Sequence, residues 1–230
     1  MNNLCSICMR GGSKGIRNKN LRYINNKPLM AYTIEQAIKC KLFNKVVVST
    51  DSKKIAKIAK SLGVSYCVNR PKRLATDKSS KILAIKHALV MSEKHYDKKF
   101  DLIVDLDITS PLRNIKDIIK AYKLFIKKKA DFLTTATNSK KNPYFNIVEI
   151  VNNKVQLSKK TKKKLVRRQD APKTYDLNAS IYIWKRKTLM DSKTLGECKS
   201  IIYEMPNDRS IDIDTEFDFG LVKHLLKSKK

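Results

Sequence analysis

Short, unbroken apolar runs recur through the first two-thirds of the chain, separated by lysine-rich stretches of helical length. The runs lie at residues 4–9, 45–50, 65–68, 102–107 and 131–136, and most are rich in Val, Ile or Leu. Strands covered on both faces read this way, because neither face has to meet water. Helices are expected between them at 28–39, 53–62, 79–94 and 115–128. The first opens on Pro28, whose missing N–H suits a helix start, and the second follows Asp51 and Ser52, either of which can cap it. This alternation predicts an α/β fold: a doubly wound, mostly parallel sheet with helices on both faces. Ligands of such sheets sit at the carboxyl ends of the strands.

Beyond residue 138 the rhythm changes. Residues 144–151 and 154–157 read as a hairpin around Asn152-Asn153, followed by a basic loop. Strands at 179–184 and 200–203 and a last helix at 215–226 complete the chain. Residues 1–230 are expected to form one domain, with 139–177 as an insertion packed on the main sheet. No apolar run is long enough to span a bilayer, and residues 1–9 lack the charged start and long apolar stretch of a signal peptide. A soluble, cytoplasmic protein without membrane insertion is therefore expected.

The net charge of +29 raises the question of nucleic acid. Only ten of the 50 basic residues are Arg, and the lysines are spread over nearly every helix. Base-edge readers need Arg forks and aromatic platforms, so a solvated face is the better reading and no nucleic-acid partner is expected. The positive field still attracts anionic substrates. Cys5 and Cys8 have CxxC spacing, but a strand turns them to opposite faces and no second pair accompanies them. Buried, reduced thiols are expected.

Four segments carry chemistry. Arg10-Gly11-Gly12-Ser13-Lys14-Gly15, with Lys19-Asn20, follows the first strand. Its glycines allow backbone N–H groups to approach phosphate oxygens, and Arg10, Lys14 and Lys19 add positive charge. The order is neither a Walker A loop nor the dinucleotide fingerprint, and a triphosphate site is favoured over a plain turn. The second segment is Ser210-Ile211-Asp212-Ile213-Asp214-Thr215-Glu216. If extended, it sets Asp212 and Asp214 on one side, where paired carboxylates suit Mg²⁺, with Mn²⁺ a substitute. The alternative makes Asp214 or Thr215 the cap of the last helix. The third runs from Asp105 and Asp107, also on one side, through Thr109, Ser110 and Arg113; for the last three, functional and structural roles stay open. The fourth is Arg167-Arg168-Gln169 with Asn178 downstream, where Arg forks suit a carboxylate or phosphate and a plain surface loop is the alternative.

Taken jointly, in this order and spacing, these segments and Val48-Ser49-Thr50-Asp51 resemble the CMP-sialic acid synthetase (acylneuraminate cytidylyltransferase) family. The likeness runs over essentially the whole chain. It implies a Rossmann-like nucleotidyltransferase fold and a homodimer in which the insertion completes the partner's site. It also implies CTP and a nonulosonic (sialic-type) acid as substrates, giving the CMP-sugar and pyrophosphate. By the same likeness Arg10, Ser13, Lys14, Lys19 and Asn20 would hold the CTP phosphates and ribose, with Arg70 and Ser80 nearer the base. Asp212 and Asp214 would bind metal, one of them assisting removal of the hydroxyl proton, and Arg168 would meet the sugar carboxylate of the neighbouring subunit. Sialic acid members usually read Gln-Pro before Thr-Ser-Pro-Leu-Arg, whereas this chain has Asp107-Ile108. Some also carry Arg where Asp176 stands. Both departures lie toward the sugar, and the Asp-rich strand looks similar to bacterial legionaminic acid cytidylyltransferases. An enzyme for the eight-carbon sugar KDO, or another sugar nucleotidyltransferase, is the rival reading.

Overall fold

The computed structural model describes residues 1–13, 15–161, 165–192 and 198–227. Lys14 lies outside them. In chain order the strands and helices are β1 (Asn3–Cys8), β2 (Tyr23–Ile24), β3 (Lys27–Pro28), α1 (Leu29–Lys39), β4 (Lys45–Thr50), α2 (Lys53–Ser61), β5 (Tyr66–Asn69), α3 (Lys81–Tyr96) and β6 (Leu102–Leu106). There follow α4 (Ile115–Lys128), β7 (Phe132–Asn138), β8 (Val148–Val151), β9 (Lys154–Leu157), β10 (Tyr175–Lys185), α5 (Arg186–Asp191), β11 (Ser200–Glu204) and α6 (Glu216–Lys227).

Seven strands form the main sheet in the order β11-β7-β10-β6-β1-β4-β5. β1 pairs in parallel with β4 and β6, and β11 with β7; β10 runs antiparallel between β6 and β7. The mostly parallel sheet matches the expectation. One apolar cluster, including Ile7, Ile34, Val48, Val104 and Phe125, fills one face. A second, with Leu4, Leu89, Ile103, Phe132 and Trp184, fills the other. Strand residues on both faces are thus covered, which is why β1 and β6 read as unbroken apolar runs.

Local differences have local causes. Ser52 accepts from the Ile55 N–H and caps α2, while Asn114 and Asp117 form a reciprocal capping box on α4. Residues 144–147 do not join the hairpin, because Asn142 accepts from the backbone of Tyr144, Phe145, Asn146 and Ile147 and holds a turn. β10 starts at Tyr175, earlier than expected, with a register shift between Leu177 and Tyr182 where Ala179 has φ 51°. Residues 175–177 therefore pair with β7, and the part of the insertion outside the main sheet is 139–174. The β2–β3 hairpin, turned by Asn25 and Asn26 at positive φ, was not expected. The five cysteines are free thiols, and burial pushes Cys5, Cys8, Cys40 and Cys67 above the usual thiol value. No helix among the described residues is long and apolar enough to cross a membrane.

Candidate active site

The glycine-rich loop leaves β1 at the carboxyl edge of the sheet and folds against two neighbours. The Gly11 N–H donates to Asp51 Oδ1 at 2.7 Å, just past the end of β4, and Arg10 forms an ion pair with Asp77. Asn20 is buried and donates to the Arg10 carbonyl at 2.8 Å, which closes the loop on itself. Gly15 is required where it stands: a Cβ there would lie 2.3 Å from the backbone oxygen of Asp214. Lys19 donates through Nζ to the Ile213 carbonyl and lies 3.8 Å from Asp214 Oδ1. The loop and the 210–216 segment, about two hundred residues apart in sequence, are thus one structure. Ser13 is half-buried in this loop.

The alternation expected of residues 211–214 is present. Ile213 is fully buried beside Ile16, Leu112 and Phe219, and its N–H donates to the Thr109 carbonyl at 2.9 Å. With that side chain anchored inside, Asp214 is exposed and Asp212 half-buried. Thr215 and Asp218 cap α6 reciprocally, the Thr215 N–H donating to Asp218 Oδ2 at 2.8 Å and the Asp218 N–H to Thr215 Oγ1 at 3.2 Å. Thr215 is thus the cap, one of the two residues the structural alternative offered; the Asp214 N–H also donates to Asp218 Oδ2 at 3.2 Å, while the Asp212 and Asp214 carboxylates take no part.

At the end of β6 three charged groups meet. Lys81, the first residue of α3, places Nζ 2.6 Å from Asp107 Oδ2 and 3.2 Å from Asp105 Oδ2, 4.4 Å from the centre of the Tyr182 ring. Asp105 is fully buried and accepts from the Ser6 hydroxyl at 2.7 Å. Asp107 Oδ1 accepts from both the N–H and the hydroxyl of Thr109, at 3.1 and 2.9 Å. Burial would raise the Asp107 carboxyl, but Lys81 and Thr109 outweigh it and hold it at about 2. Burial would likewise lower the Lys81 ammonium, and Asp107 and Asp105 instead hold it well above the usual lysine value.

Asp212 is different. Burial pushes its carboxyl up to about 6, opposed by the Thr109 hydroxyl and Lys19 and reinforced by Asp107 and Asp214. The Thr109 hydroxyl carries one proton, and its 2.9 Å bond commits that proton to Asp107. Asp212 Oδ1 is buried without a hydrogen-bond partner. A divalent cation would supply that partner and relieve the repulsion from Asp107 and Asp214, so the residues present fit one. Among the described residues no group of three or more His, Cys, Asp or Glu stands together for a metal. Two carboxylates completed by substrate phosphates and water is the usual Mg²⁺ arrangement.

Other expected residues fall elsewhere. Ser110 is fully buried and its hydroxyl donates to the Asn178 carbonyl at 3.1 Å, so of its two open roles the bracing of the β6 end against β10 is the one seen. Asn178, also buried, donates to Ser210 Oγ at 2.9 Å and so orients the segment leading to Asp212. Arg113 lies buried under the site, bonded to Gln36, Thr33, Ser180 and the Asp107 carbonyl, which resolves its open role as structural. Arg70 is buried and donates to Ser49, while Ser80 is exposed before α3. Arg168 and Gln169 are exposed on the insertion. They line a cavity of about 380 Å³ with Asn138, Ser139 and Lys173, and Arg168 donates to the Ser139 carbonyl at 3.1 Å. Sequence reasoning missed Lys81. The available signal was a lysine at the first position of a helix, where the dipole disfavours a cation without a carboxylate partner.

A family model for cytidylyltransferases matches residues 4–229. The chain belongs to the cytidylyltransferase family. This cytidylyltransferase is 44% identical over 226 residues to the CMP-N,N'-diacetyllegionaminic acid synthase of Campylobacter jejuni, covering 98% of this chain and 95% of that protein. It is 43% identical, at the same coverage, to post-translational flagellin modification protein B of Campylobacter coli. The N-acylneuraminate cytidylyltransferase of Escherichia coli is 34% identical over 97% of this chain and 52% of that protein. Among solved structures, a CMP:2-keto-3-deoxy-manno-octonic acid synthetase complexed with CTP superposes with a TM-score of 0.72 over the whole of both chains, at 15% identity. That likeness concerns the fold.

Proposed function

We propose that this cytidylyltransferase joins CMP from CTP to a nonulosonic acid of the legionaminic type and releases pyrophosphate, in the cytoplasm. The observation that carries this reading is the 44% identity, end to end, with a CMP-N,N'-diacetyllegionaminic acid synthase. In the proposed reaction the anomeric hydroxyl oxygen of the sugar acid bonds to the α-phosphorus of CTP. The bond from that phosphorus to the bridging oxygen breaks, and its electrons leave with pyrophosphate.

Arg10, Ser13, Lys14, Lys19 and Asn20 hold the triphosphate and ribose in this account, with Arg70 and Ser80 toward the base. Lys19, tied to Ile213, carries its charge to the junction between loop and carboxylates. Fixed charge of this kind acts where phosphate charge develops in the transition state. Asp212 and Asp214 would hold Mg²⁺ or Mn²⁺, which supplies charge neutralisation at the phosphates when bound. Asp212 is also the group suited to accept the hydroxyl proton. Asp107 and Thr109 face the acceptor, where Asp107 tunes the choice of sugar.

A homodimer is part of this reading. Ile150 and Val155 of the β8–β9 hairpin, cross-strand partners, are 75% and 69% exposed, and Val148 and Leu157 are exposed on the same face. An apolar face of this kind marks an association surface. Arg168 and Gln169, on the same insertion, would then reach the partner's sugar carboxylate. The test is pyrophosphate release from CTP with N,N'-diacetyllegionaminic, N-acetylneuraminic, pseudaminic and KDO acceptors. The expected order places the legionaminic acid first by kcat/KM. Turnover confined to KDO, or with none of the four, overturns the proposal.

A further inference from the structure

We propose that Lys81 is a positioning residue: its ammonium fixes Asp107, Asp107 fixes Thr109, and Thr109 sets where Asp212 stands toward the acceptor. The claim rests on the reading of Asp212 given above.

Each link is a direct contact. Nζ of Lys81 meets Asp107 Oδ2 at 2.6 Å, and Asp107 Oδ1 accepts from Thr109 N and Oγ1. Thr109 then reaches the 212–213 segment through its backbone. Its carbonyl accepts from the Ile213 N–H at 2.9 Å, which fixes the backbone next to Asp212. Three elements converge on the ammonium: α3 carries it, β6 supplies Asp105 and leads into Asp107, and β10 supplies the Tyr182 ring. An ammonium held between two carboxylates and an aromatic face has little freedom to move.

Removal of that charge has a directional consequence. Asp105 and Asp107 would be left as two carboxylates at the sheet edge without a counter-cation, an arrangement that cannot persist in low dielectric. Asp105 cannot yield, since it lies within β6, is fully buried and is held by the Ser6 hydroxyl. Asp107 lies one residue past the strand end and is only partly buried, so it is the group that turns toward water. Thr109 loses both of its bonds to Asp107 when it does, and Asp212 loses its reference point. The ammonium thus acts on the reaction through two intermediaries, without touching a reacting atom.

The experiment compares wild type with Lys81→Met, Lys81→Arg, Thr109→Val and the double variant Lys81→Met/Thr109→Val. Turnover is measured with N,N'-diacetyllegionaminic acid, and CTP affinity by calorimetry without acceptor. Lys81→Met is expected to lower kcat by about tenfold or more while the Kd for CTP stays within about twofold, and Lys81→Arg to recover most of the loss. The double variant should fall no further than about twofold below the worse single variant, because both changes cut one chain of contacts. An unchanged kcat in Lys81→Met, losses that multiply, or CTP affinity falling in step with kcat each overturn the proposal. A separate reading avoids turnover altogether. In ¹⁵N-threonine-labelled protein the Thr109 amide should shift in Lys81→Met while that of Thr188 does not. A wild-type chain inactive on all acceptors would overturn the proposed function alone; a Thr109 amide that stays put in Lys81→Met would overturn the positioning role.

Discussion

At the carboxyl edge of β1 and β6, Lys81 answers Asp105 and Asp107, Thr109 occupies the remaining Asp107 oxygen, and Ser6 holds Asp105 from below. In the β8–β9 hairpin, by contrast, every residue except Gln156 is exposed, and alternate positions are Val and Ile. The cleft floor pairs its charges within one chain, although Asp105 Oδ2, paired with Lys81, and Asp212 Oδ1 are both buried without a hydrogen bond. The hairpin has buried almost nothing. A floor that balances its own charges can be built by folding alone, whereas an exposed apolar hairpin gains its stabilisation only when something covers it. The contrast teaches where to look for each part of the site: nucleotide and metal chemistry on the floor, and assembly with part of the acceptor recognition on the insertion.

The strongest way to break the floor is to withdraw its cation. With EDTA, turnover should vanish and return with added Mg²⁺ or Mn²⁺, and Asp214→Asn should raise the metal concentration required while the protein still folds. Pyrophosphate release across a metal titration checks this, and full activity in EDTA would leave Asp212 and Asp214 without a metal role. Lys19→Ala should come next, with turnover reduced by about 10²–10³, as for removal of one preorganised donor to developing charge. Its thermal midpoint should move far less than its turnover, although the bond to the Ile213 carbonyl is lost. Steady-state rates set beside a thermal melt separate the two.

The insertion is tested by changing its exposed face. Ile150→Asp with Val155→Asp should shift the chain from dimer to monomer in sedimentation velocity. Its unfolding free energy should change by about 0.5 kcal/mol or less at micromolar monomer, since exposed substitutions rarely cost more. Turnover should fall with the dimer fraction. A dimer that survives both changes would place the contact elsewhere.

The smallest effect concerns acid. The Asp107 carboxyl is held at about 2, because Lys81 and Thr109 outweigh the burial that would raise it. Its unfolded value is about 3.9, so its contribution is fully present above about pH 4 and is lost as pH falls through 2. Urea unfolding should therefore show wild type ahead of Asp107→Asn by on the order of 1–2 kcal/mol at pH 7, with the gap narrowing toward pH 3. A gap that holds constant with pH would detach Asp107 from Lys81.

Legibility in the sequence followed the same division. The parallel strands were readable because two-sided burial leaves an unbroken apolar signature, and Ile213 between Asp212 and Asp214 was readable as alternation. The glycine-rich loop announced itself by composition, but its contact with the Asp214 backbone joins residues whose spacing no local pattern encodes. Lys81 was missed for the same reason: its place at the start of a helix was a weak signal in one lysine among forty, and its partners Asp105 and Asp107 lie at the end of β6. Ser110 shared the open role of Thr109, and what decides it, burial and a bond to the Asn178 carbonyl, comes from a part of the chain 68 residues away. In the insertion the Asn152-Asn153 turn was legible from turn chemistry, whereas the Asn142 turn rests on its carbonyl and side chain together accepting from four downstream N–H groups, a pattern no dipeptide announces.

In the proposed dimer, each cytidylyltransferase site is shared between the floor of one chain and the insertion of its partner. The most direct measurement mixes two variants, Lys19→Ala and Arg168→Ala, each nearly inactive alone, and follows pyrophosphate release from CTP and N,N'-diacetyllegionaminic acid after subunit exchange. In a symmetric dimer the hybrid holds one site with both residues intact, so an equimolar mixture should recover about a quarter of wild-type turnover. A mixture no more active than its two components would contradict the claim and return the whole site to a single chain.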